Sequence, residues 1–116
     1  MNKTCLVSIV IGLGLITSAT EASAQSPIFH IGSDTRAMGQ ADCMNRAKFA
    51  LSETGLTVNI TTGNHAAGSG ADVSVLVTCL SLGQRTFIEV VGASLNSSRA
   101  EEFRNRVRTI VMGPAS

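Results

Sequence analysis

The sequence predicts an α+β domain, a two-layer sandwich in which an antiparallel β-meander is covered on one face by two helices. Three observations predict it. The stretch Val73–Ala93, VSVLVTCLSLGQRTFIEVVGA, places two apolar, β-branched runs around a tight-turn signal. Leu56–Thr61, LTVNIT, alternates apolar and polar side chains as a half-buried strand does. Two stretches with apolar residues at helical spacing flank these strands, one on each side. The order is therefore (β)αβββα, with three strands and a fourth available at the front.

The first 24 residues are set apart. Lys3 precedes an apolar run from Cys5 to Ile16, and small residues end at Ala22-Ser23-Ala24. That is the pattern of a secretory signal peptide cleaved after Ala24, and its apolar run is shorter than the ~20 residues of a spanning helix. The expected product is one domain over residues 25–116, periplasmic or extracellular, with no membrane attachment after cleavage. So small a domain has a limited core and gains much from a covalent staple.

Ser26–Ile31, SPIFHI, reads as a short edge strand or a docked arm, with Pro27 where an edge tolerates it. Ser33 and Asp34 offer helix N-caps, and Thr35–Thr54 reads as the first helix. Its stripe is Ala37, Ala41, Met44, Ala47 and Leu51, flanked by Cys43 and Ala50. Side chains this small let a helix lie close to a sheet. Gly55 stops the helix.

After the LTVNIT strand, Thr62–Asp72, TGNHAAGSGAD, carries three glycines and almost no large side chain, so a mobile loop is expected. The hairpin follows. Gly83 at the first central position of Leu82–Arg85 suits a type II′ turn, and that turn sets the register. Cys79 then faces Ile88, Val77 faces Val90 and Val75 faces Gly92 on one side. Leu80 faces Phe87, Thr78 faces Glu89 and Leu76 faces Val91 on the other.

Ser98 and Glu101 form a capping-box pattern for the second helix, which runs to about Met112 before Gly113-Pro114. Ala100, Phe103, Val107, Ile110 and Val111 make its stripe. Of its four arginines, Arg99, Arg104, Arg106 and Arg108, two sit at pairing spacing from glutamates: Glu102 with Arg106 and Glu101 with Arg104. A solvated helix face accounts for them better than an anion site does.

Two cysteines follow the leader, Cys43 on the first helix and Cys79 on the strand face assigned to the helices. An even count in an exported chain favours a disulfide. A simple meander conflicts with it. Such a meander brings the end of the first helix beside Cys79, and Cys43 lies eleven residues back, about 16 Å along a helix. A disulfide needs Cα atoms within about 7 Å. Either the helix crosses the sheet obliquely with a shifted register, or the two are buried thiols. The run CMNRAKFALSETGL followed by VLVTCLSLGQRTFIEVVGAS resembles small exported bacterial proteins of uncharacterised function with one cysteine on a helix and one on a strand. That resemblance implies no activity.

Function classes narrow by subtraction. Nine Lys and Arg against eight Asp and Glu give a net charge of +1, and Trp and Tyr are absent, so no nucleic acid partner is expected. His30 and His65 are the only imidazoles and share no closely spaced Cys/His cluster. No metal or cofactor is expected. No catalytic constellation stands out; the nearest is a small hydrolase built on the loop holding His65, Ser69 and Asp72. A secreted inhibitor or toxin-like module is a third class.

The strongest feature is the outer hairpin face, where Leu76, Leu80, Phe87 and Val91 point away from the helices. Four large apolar side chains need cover. Either Ile28, Phe29 and Ile31 fold back over them, or the face meets a second copy or another protein. The leading expectation is a non-catalytic exported binding module.

Overall fold

A computed structural model describes residues 26–113. The expected signal peptide, its cleavage point and Pro114 lie outside the described residues. The chain forms β1 (Ile28–Arg36), α1 (Gln40–Glu53), β2 (Thr57–Thr61), β3 (His65–Ser69), β4 (Val73–Ser81), β5 (Thr86–Ser94) and α2 (Ser97–Met112). The five strands make one antiparallel sheet in the order β1-β5-β4-β3-β2. The α+β class stands, with five strands where three or four were expected.

The β4–β5 hairpin has the register its turn dictates, Cys79 opposite Ile88, Val77 opposite Val90 and Leu76 opposite Val91. Gly83 has a positive φ of 86°, and among the described residues no non-glycine residue has positive φ, as a II′ turn with Gln84 second requires. Strict alternation then sorts the hairpin. Val73, Val75, Val77, Cys79, Ile88 and Val90 are buried. Onto them pack Cys43, Met44, Ala47, Ala50 and Leu51 of α1 and Phe103, Val107, Val111 and Met112 of α2. Both helices lie on this one face.

Three boundaries differ from the sequence reading. β1 continues through Ser33 and Asp34, which therefore do not cap α1; the helix starts at Gln40 behind Gly39. Nine consecutive pairings with β5 outweigh a local cap. Asp34 spends its acceptors elsewhere, on the Thr35 amide at 2.8 Å and Arg36 Nη1 at 2.6 Å. At α2 the cap is Asn96, whose Oδ1 accepts from the Arg99 amide at 3.2 Å, and not Ser98. Gly55 does end α1: its amide reaches the Ser52 carbonyl and the Leu56 amide reaches that of Leu51, a Schellman closure.

The larger correction is β3. The glycine-rich segment expected as a mobile loop holds a strand paired on both sides, with Ala66 opposite Val77 and Gly68 opposite Val75. Its small residues are a packing requirement. A Cβ on Gly68 would lie 3.2 Å from Leu56 Cβ and 3.5 Å from Leu51 Cβ, because the end of α1 crosses directly over it. Large side chains, the usual mark of a strand, have no room there.

β3 also removes the disulfide conflict. A strand inserted between β2 and β4 makes those two run the same way, so the end of α1 lies at the start of β4 and the beginning of α1 lies beside Cys79. Cys43 and Cys79 are bonded, with Cα atoms 6.1 Å apart.

Candidate functional site

The helices leave the second sheet face open, and the register arranges it in rows across the strands. One row is apolar from edge to edge: Ile31 on β1, Val91 on β5, Leu76 on β4, Ala67 on β3 and Ile60 on β2. A β-bulge between Val58 and Ile60 turns Ile60 onto this face. The next row towards the hairpin turn is polar, Ser33, Glu89, Thr78 and His65, and beyond it come Thr35, Phe87 and Leu80. Phe29 extends the face at the other end. Phe29 is 60% exposed, Ile31 57%, Ile60 55% and Leu80 47%, values that single out this face from an ordinary sheet exterior.

The four residues singled out from sequence, Leu76, Leu80, Phe87 and Val91, all lie here. Ile28, Phe29 and Ile31 do not fold over them. They belong to β1, which pairs with β5 at the sheet edge, so Phe29 and Ile31 enlarge the open face. Ile60 and Ala67 were not anticipated. Ile60 changes face only through the bulge, and Ala67 sits in the segment read as loop. Among the strand positions of the open face Glu89 is the one formally charged residue. It has no ion pair among the described residues.

The loop chemistry dissolves. His65 lies on the open face at the start of β3, with Nδ1 3.5 Å from Thr62 Oγ1. Asp72 lies beyond the other end of that strand, roughly 20 Å away at ~3.3 Å per residue. Its carboxylate accepts from Arg99 Nε and Nη2, both at 3.1 Å. Arg99 holds the Asp72 carboxyl below its ordinary range, and the Asp72 carboxylate raises the guanidinium in turn. Ser69 accepts from Asn59 Nδ2 at 2.8 Å. The three candidate hydrolase residues are not brought together.

The other imidazole, His30, lies on the helix-facing side of β1, its Nε2 3.0 Å from Ser97 Oγ. Among the described residues no three His, Cys, Asp or Glu side chains converge as metal ligands, and no helix is long and apolar enough to cross a membrane. The arginines of α2 are engaged by carboxylates on three segments: Arg99 with Asp72 and Glu102, Arg106 with the same Glu102 at 4.0 Å, Arg108 with Asp34 at 3.8 Å. Arg104 donates to the Ile31 carbonyl at 2.9 Å instead of meeting Glu101. Arg99 and Arg106 also flank the Phe103 ring, 4.5 and 5.1 Å from its centroid. In the shallow depression between α1 and α2, lined by Glu53, Thr54, Asn105, Arg106, Thr109 and Ile110, the two hydroxyls donate to helix carbonyls, Thr54 to Ala50 at 2.9 Å and Thr109 to Asn105 at 2.8 Å. No protein-family model and no curated protein sequence matches the chain.

Proposed function

We propose that the protein is an exported, non-catalytic binding module whose working surface is the open face of the sheet. The observation that carries this reading is the unbroken apolar row Ile31–Val91–Leu76–Ala67–Ile60. A sheet with one covered face normally keeps the other polar, and apolar side chains held in a rigid row favour contact with another surface over contact with water. Export is supported by the leader pattern and by a disulfide that suits an oxidising compartment. The same disulfide and the helix layer anchor the strands from behind, and a pre-ordered face reduces the ordering cost of binding.

Site-specific photo-cross-linking in the producing cell tests it. A benzophenone side chain at Leu76 should give protein adducts on illumination. The same group at Phe49, more exposed on the helix layer at 59% than Leu76 at 36%, should give none. Adducts from neither position, or from both alike, would remove the open face as the binding surface.

A further inference from the structure

Taking the open face as the binding surface, we propose that its occupant is a second copy of this chain, packed sheet to sheet about a two-fold axis along β4. The strand order supplies the symmetry. β4 is the middle of five strands, so a two-fold along it lays β5 of one copy over β3 of its partner and β1 over β2. The rows keep their height along the axis. Leu76 meets its own counterpart on the axis, Val91 meets Ala67, and Ile31 meets Ile60. Large sits against small or against its like at every step of the apolar row.

The polar row provides the charge complementarity. Glu89 on β5 and His65 on β3 flank Thr78 at the same height, one strand to each side of the axis. The rotation therefore sets Glu89 of each copy against His65 of the other, making two equivalent contacts. Glu89 has no ion pair among the described residues. His65 turns Nδ1 towards Thr62, which leaves Nε2 to donate to the carboxylate across the interface. Thr78 pairs with its counterpart between them. An aligned sheet packing rotates the strands by about 30°, a shift of only a few Å one strand from the axis, within the reach of a glutamate.

The area fits a dimer that dissociates on dilution. Fourteen open-face strand positions meet a counterpart, five, five, three and one in successive rows, and at about 4.8 by 6.8 Å each they give a footprint of about 450 Å2 per copy, so the pair buries about 900 Å2, the size of a weak, exchanging interface. With the helices outermost, the assembly is a four-layer α/β/β/α dimer, and both apolar faces leave water.

Charge exchange between the two residues tests both the partner and the geometry. The chain is expressed with its own leader, purified in disulfide-bonded form and measured by sedimentation, with circular dichroism as the check on folding. The wild-type protein should sediment at twice the mass of one chain and dissociate on dilution. Glu89→Lys alone and His65→Glu alone should each lose the dimer, because the first sets two donors against each other and the second sets two carboxylates together. An equimolar mixture of the two single variants should regain the doubled mass, since Lys then meets Glu and Glu meets His, and the double variant should regain it by itself. A wild-type protein that stays single at high concentration overturns the proposal; adducts from Leu76 to another protein would in that case leave the open face as the binding surface. A dimer indifferent to all three variants, or single variants that stay apart when mixed, overturns the two-fold along β4.

Discussion

Gln40 and Cys79 touch through a side chain and a carbonyl: Gln40 Nε2 donates to the Cys79 oxygen at 2.7 Å and to that of Gly63 at 3.0 Å. One helical turn further on, Cys43 is bonded to the same residue. The beginning of α1 is thus tied twice to the end of β4, once covalently and once by a polar clamp that also holds the turn before β3.

The covalent tie closes a loop of 36 residues' separation, for which chain entropy predicts about 3–4 kcal/mol. Replacing Cys43 and Cys79 together by alanine should lower the unfolding free energy by that amount in urea titration. Thiol assay of the denatured, unreduced protein should find both cysteines blocked.

The polar clamp is separable from it. Gln40→Ala removes the donor to two carbonyls and should cost about 1–2 kcal/mol with the disulfide intact. Because the Gly63 contact is lost as well, amide exchange should quicken around Thr62–His65. An unchanged urea midpoint would show that water replaces the amide without loss.

Gly92 marks the closest approach of α2 to the sheet. A Cβ there would run into the Ala100 carbonyl oxygen and lie 3.1 Å from Arg104 Cβ. Gly92→Ala should therefore destabilise by about 1–3 kcal/mol, the range of core overpacking. Gly63→Ala, with nothing within 4 Å of the new methyl, is the control and should leave the midpoint in place.

Two carboxylates link stability to acid. The Thr35 amide and then Arg36 lower Asp34 from its ordinary 3.8, and Arg99 lowers Asp72 from the same value. Each is depressed in the folded state, so its contribution is complete above 3.8 and is lost as pH falls through the lower, folded value. Unfolding free energy should decline as the pH falls below about 4. Asp72→Asn should be less stable at neutral pH and should show a shallower acid decline.

The hairpin register was legible because its cause is local: a glycine at one turn position and a period-2 pattern that admits a single pairing. The helix stripes were legible for the same reason, and so were the four apolar residues of the outer hairpin face. The ends of β1 and α1 were not. The signals at Ser33 and Asp34 favour a cap, and only pairing with β5, more than fifty residues away, makes them strand.

The sequence by itself determined the leader pattern, the α+β class, the faces of the hairpin and which cysteine lay on which element. Tertiary structure alone decided that a glycine-rich segment is β3. Its residues are small because α1 crosses above them, and a strand without large side chains carries no strand signal of its own. That one strand reverses the direction of β4 relative to β2, brings Cys43 to Cys79, and puts β4 at the centre of the sheet. The open apolar face follows from the same insertion, since it sets Ala67 and Ile60 in line with Leu76.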